Sequence, residues 1–150
     1  MRHERRSRPF LFLLCIGSTC LVPACGSREK TVTCHPVEGR VLHGNQPVVG
    51  ARVTFAAIDV PTPPDVFVHP TARTDAEGHF KLRTFKEADG APAGKYKVLI
   101  VWPKTPGRSD GSGEGEEGDR LEGRFATPET STIEVEIKPE TNNLPPFVVD

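Results

Sequence analysis

The sequence predicts an all-β fold, a seven-stranded Greek-key-type β-sandwich, and three observations carry that expectation. From Pro36 onward apolar residues recur at every second position, the period of a half-buried strand. The alternating runs are separated by clusters of Gly, Pro, Asn and Asp, residues that favour turns. No run has helical spacing, and the 15 prolines and 14 glycines would interrupt one.

The first strand is expected at about Pro36 to Leu42, with Val37, Gly39 and Val41 on one face. Gly44-Asn45 turns the chain and Pro47 ends the turn. The second strand covers Ala51 to Ile58, with Val53 and Phe55 inward, and a proline-rich link from Pro61 to Pro64 follows it. The third covers about Val66 to Thr74. Asp75-Ala76-Glu77-Gly78 is a turn, with Gly78 free to take positive φ. The fourth strand, His79 to Thr84, points Phe80 and Leu82 inward and Lys81 and Arg83 outward. A second turn region spans Lys86 to Ala93.

The fifth strand, Lys95 to Trp102, is the most apolar. Tyr96, Val98, Ile100 and Trp102 share one face and are read as core; Leu99 and Val101 lie on the other. Apolar residues on both faces predict a central position. A polar insert from Pro103 to about Ser131 follows, glycine-rich and acidic, and is expected to be a solvated, flexible loop. In the sixth strand Ile133, Val135 and Ile137 alternate with Thr132, Glu134, Glu136 and Lys138. The last strand, about Leu144 to Val149, contains Pro145 and Pro146, which cannot donate to a ladder, so it belongs at an edge. The expected core joins Phe55, Phe80, Tyr96, Val98, Ile100, Ile133 and Val135.

Ahead of this domain, residues 1–24 have the three parts of a secretory signal. Arg2, Arg5, Arg6 and Arg8 make a basic start, and Phe10 to Val22 carries no charge. That run is shorter than the roughly 20 apolar residues a membrane-spanning helix needs. Val22-Pro23-Ala24-Cys25 then resembles a bacterial lipobox, with an apolar residue at −3 and a small one at −1. Pro23 departs from that pattern, which holds a small non-proline residue at −2. The resemblance implies cleavage after Ala24 and lipidation of Cys25. Residues 25–35 are then a lipidated tether and residues 36–150 the domain, exported and held by a membrane on the periplasmic or exterior side.

Cleavage leaves 126 of the 150 residues, one ordinary domain. It removes four Arg and one Glu, so 15 basic and 19 acidic residues remain. This mildly acidic balance argues against nucleic acid, which requires a basic stripe. Cys15 and Cys20 leave with the signal, and Cys34 is the one thiol besides Cys25. Cys34 is read as a small apolar residue near the start of the first strand, with a free reactive thiol as the alternative.

The ordered pieces Val37-x-Gly39-x-Val41, Gly50-Ala51-x-Val53-x-Phe55, Thr74-Asp75-x-x-Gly78-x-Phe80 and Gly94-x-Tyr96-x-Val98 look like the carboxypeptidase regulatory-like, transthyretin-like sandwich family. The segment Leu121 to Ile137 resembles small bacterial lipoproteins on the same scaffold. The resemblance implies an accessory module without the zinc-binding peptidase domain.

The chemistry-bearing residues fit that implication. His35, His43, His69 and His79 do not form ligand pairs on one element, and no HExxH occurs, so no metal site is expected. Cys34 and His35 are neighbours, and in an extended chain they point to opposite sides. Gly111-Ser112-Gly113 is not a nucleophile elbow, and the chain ends Phe147-Val148-Val149-Asp150 rather than in the Tyr-Arg-Gly-Ser tail of transthyretin-like hydrolases. Asp110, Glu114, Glu116, Glu117, Asp119 and Glu122 are of a Ca²⁺-ligand type, but their spacing does not fit an EF-hand loop. The expectation is a non-catalytic envelope module without cofactor, bound to the membrane through its lipid and to an envelope protein or polysaccharide. The alternative is a ligand- or carbohydrate-processing enzyme, which would show clustered, perturbed titratable groups.

Overall fold

A computed structural model describes residues 32–63, 66–105 and 118–150. Those residues form strands and turns, without helix. The strands are β1 (Cys34–His35), β2 (Val37–His43), β3 (Gln46–Pro47), β4 (Arg52–Asp59), β5 (Thr71–Arg73), β6 (His79–Lys81), β7 (Ala91–Pro92), β8 (Gly94–Val101), β9 (Glu134–Ile137), β10 (Asn142–Asn143) and β11 (Phe147–Val149). The protein is therefore all-β, built from several sheets.

One four-stranded antiparallel sheet runs β5-β4-β8-β9. A second sheet is organised on β2, which pairs with β3 and β6 antiparallel and with β10 and β11 parallel. A third, minimal sheet joins β1 to β7. The two larger sheets share one core. Phe55 of β4 meets Phe80 of β6 edge-on at 6.4 Å and Tyr96 of β8 at 5.8 Å. Val37, Val41, Val53, Val98, Ile100, Ile137 and Val149 complete the dry interior.

The period-two pattern works because alternate residues of a strand face opposite sides. In β8 Tyr96, Val98 and Ile100 are fully buried, while Lys97, Leu99 and Val101 are half-exposed on the outer face. Phe80 and Leu82 point in and Lys81 points out. The turn before Phe80 is held by the Asp75 carboxylate, which accepts from the backbone N–H of Glu77 at 3.0 Å and His79 at 2.8 Å. Gly78 there has φ +78, and a Cβ would sit 2.6 Å from the Val41 carbonyl oxygen. The turn needs glycine for both reasons.

Several elements differ from the sequence expectation. The third strand keeps only Thr71–Arg73 of Val66 to Thr74, because Pro70 has no N–H to donate and Phe67 is left 84% exposed. The terminal segment pairs on both sides of Leu144-Pro145-Pro146, as β10 and β11, instead of as one strand. Ile133 and Val135 are half-buried and Ile137 is the deeply buried residue of β9. Trp102 lies at the rim instead of in the core, because β8 ends at Val101 and Pro103 follows. Strand pairing also starts at Cys34, within the stretch assigned to the tether.

The described part of the segment 103–131 is not a free loop. β9 pairs with β8 only as far as Lys97. Beyond that point the N–H groups of β8 on that edge still require acceptors. Val98 donates to the Ile133 carbonyl at 2.9 Å, Ile100 to that of Phe125 at 2.8 Å, and Trp102 to the Asp119 carboxylate at 2.9 Å. Residues 118–133 thus complete the edge of β8, and Leu121 is buried beneath them. Residues 106–117, with Asp110, Glu114, Glu116 and Glu117, lie outside the described residues.

Candidate functional site

Two ends of the domain carry side chains that packing alone does not use. At the first, the chain enters along β1. Cys34 opposes Pro92 and His35 opposes Ala91. Gly90, at φ +86, lets the two segments approach: a Cβ there would collide with the His35 carbonyl. Beside this clamp the turn 84–89 is fixed by Asp89. Its carboxylate accepts from the N–H of Thr84 at 2.7 Å, of Lys86 at 2.9 Å and of Phe85 at 3.0 Å. Partial burial pushes the Asp89 carboxyl up, but those N–H donors outweigh it and hold its pKa below the ordinary value. The Thr84 hydroxyl donates to the Gly90 carbonyl at 2.6 Å.

The Cys34 thiol is a free cysteine within this frame. Burial raises its pKa, and the Asp89 charge adds to that; a hydrogen bond with Thr84 opposes them without prevailing. The thiol is therefore protonated at neutral pH and is a poor nucleophile. His35 is a neighbour along the strand, as the sequence shows, and the two side chains take opposite faces. Tyr96 closes the floor: it is fully buried, its hydroxyl donates to the Pro92 carbonyl at 2.9 Å, and burial drives its pKa upward.

The opposite end centres on Trp102. Its indole N–H donates to the Val49 carbonyl at 3.1 Å. The Arg120 guanidinium stands 4.8 Å over the ring, and the His43 ring lies 5.9 Å from it. Arg120 is itself tied to the Pro103 and Lys104 carbonyls at 3.3 and 3.2 Å. One face of the indole ring is thus covered by a cation of the protein's own. Asp119 below it accepts from the N–H of Trp102, Leu121 and Gly123, so this member of the acidic insert acts as a structural acceptor.

No protein-family model matches the chain, and no curated protein matches it. Among solved structures the chain is similar to the crystal structure of a 9R-lipoxygenase from Cyanothece PCC8801, at 14% identity and a TM-score of 0.41. The match covers 78% of this chain and 16% of that one.

The described histidines lie apart from one another. His79 is exposed beside the 75–78 turn, His43 belongs to the Trp102 end, and His69 stacks on Phe67 at 5.9 Å. Among the described residues no three His, Cys, Asp or Glu side chains form a group able to hold a metal ion. Cys25 lies outside the described residues. Sequence reasoning placed a turn at Lys86 to Ala93 but missed the β1–β7 clamp and the part Asp89 plays in locking that turn. The signal for the turn was present in Thr84-x-x-x-x-Asp89-Gly90, an acceptor followed by a glycine, but β1 and β7 have only two residues each and leave no periodic trace.

Proposed function

We propose that the protein is a non-catalytic, lipid-anchored module of the cell envelope, built on a seven-stranded Greek-key-type sandwich of the carboxypeptidase regulatory-like, transthyretin-like kind. It faces the periplasm or the cell exterior and contacts an envelope protein or polysaccharide. The observation that carries this reading is Val22-Pro23-Ala24-Cys25 placed after an uncharged run and a basic start. The described chemistry supports it. The Asp89 and Asp119 carboxylates are engaged by backbone N–H groups, and the Cys34 thiol is held in its unreactive form. The two carboxylates thus stabilise turns of the fold.

The test is the chemistry of the mature N-terminus. Mass spectrometry of the membrane-extracted chain is expected to find Cys25 first, carrying at least two acyl chains, since a single chain binds a bilayer only marginally. Cys25→Ala is expected to leave the protein unprocessed or to release it from the membrane. An unmodified N-terminus at any other residue refutes the anchor.

A further inference from the structure

The structure assigns a second membrane contact to the end of the domain where the chain enters. We propose that Ile58, Phe67 and Phe85 rest on the bilayer surface, in its interfacial layer; this deepens the lipid-anchor reading and rests on it. Five large apolar side chains are strongly exposed among the described residues: Val49, Ile58, Phe67, Phe85 and Val148. The strand registers sort them. Asp59 opposes Lys95 at the start of β8, so Ile58, 53% exposed, lies at the end where β7 clamps β1. Phe85, 52% exposed, projects from the Asp89-locked turn whose Thr84 touches Cys34. Phe67 sits on the connection that leaves this end of β4 and returns at Pro70, beside Phe55. Val49 and Val148 belong to the opposite end, with Trp102 and Leu42 respectively.

Chain length selects the occupant. Cys25 precedes Cys34 by nine residues, and nine residues of coil span about 17 Å root-mean-square. The eight residues of β8 already cover roughly 27 Å from this end to Trp102. A lipid on Cys25 therefore keeps the Ile58, Phe67 and Phe85 end close to the bilayer and turns Trp102 away. Nearby charges form no basic patch, since Asp59 and Glu136 flank Lys95 and Glu87 and Asp89 accompany Lys86, so an apolar contact is favoured over an electrostatic one. Aromatic side chains suit the interfacial layer. The turn that carries Phe85 is already rigid, so docking orders little new structure.

The experiment uses the processed, lipidated chain in phosphatidylethanolamine–phosphatidylglycerol vesicles, with and without bromine on the acyl chains near the headgroup. The native chain reports from Trp102, and an F85W/W102F chain reports from position 85. Both are expected to float with the vesicles. Brominated lipid is expected to cause a large loss of emission from position 85 and none from Trp102. Flotation without quenching at position 85, or equal quenching at both positions, overturns the membrane contact while leaving the anchor intact, and leaves the patch to a protein partner. Failure to float overturns the anchor and the contact together.

Discussion

Replacing Phe80 by Ala should come close to unfolding the domain, whereas replacing its neighbour Lys81 should hardly be felt. Phe80 is 2% exposed and its ring packs against Phe55 at 6.4 Å and Phe147 at 6.0 Å. It therefore joins β6 both to the other sheet and to the terminal strand. Removing a buried Phe side chain costs about 3–5 kcal/mol through lost transfer energy and the cavity left behind. A domain of this size is stable by about 5–15 kcal/mol, so the change removes a large share. Lys81 points outward and its pair with Glu38, at 3.4 Å, is largely solvated, so Lys81→Ala should cost about 0–1 kcal/mol. The same contact can be probed from below. A Cβ on Gly39 would approach the Phe80 ring to 2.6 Å, so Gly39→Ala should be destabilising alone and less so with Phe80→Leu. Urea melts followed by circular dichroism give each value. Equal, small effects at 80 and 81 would refute the shared core between the two sheets, and additive Gly39 and Phe80 effects would refute the contact.

Three further outcomes are expected. Because the folded Asp89 carboxyl ionises below its ordinary value of 3.8, its contribution is complete above that pH and is lost as pH falls through the depressed value; Asp89→Asn should lower Tm at neutral pH and flatten this acid limb. Asp119→Ala removes the acceptor of three backbone N–H groups and should cost about 1–3 kcal/mol, whereas deleting residues 109–116 should cost under about 1 kcal/mol, as the Lys104 N–H and Gly118 carbonyl already hold the loop ends together at 3.2 Å. The Cys34 thiol should alkylate slowly at neutral pH in the folded chain and at the rate of an ordinary cysteine in urea; equal rates would refute its burial-raised pKa.

The sequence made the long elements of the fold legible because their side chains repeat a two-residue period over enough residues to be seen. β2, β4 and β8, seven and eight residues long, fall within a residue or so of their expected bounds. Where a segment satisfies its backbone without that period, the pattern is silent. Residues 118–131 are mostly polar and lack a two-residue apolar period, the pattern of a solvated loop. They are nevertheless ordered because β8 outruns β9 and its N–H groups take the Phe125 carbonyl and the Asp119 carboxylate. Composition reports what a segment can bury; it does not report which unpaired edge lies beside it.

The same distinction governs the site. Ile58, Phe67 and Phe85 look unremarkable one at a time, since single exposed apolar residues are common on soluble proteins. Their meaning depends on being at one end, and that depends on three long-range registers: Asp59 with Lys95, Thr54 with Thr71, and Cys34 with Pro92. None of these registers has a local sequence signature, because each is set by which hydrophobic face must be buried. Moving β5 by one residue would turn Ala72 outward and expose the core beneath it. The burial that fixes the fold therefore also fixes which apolar side chains are left over beside the point where the chain enters.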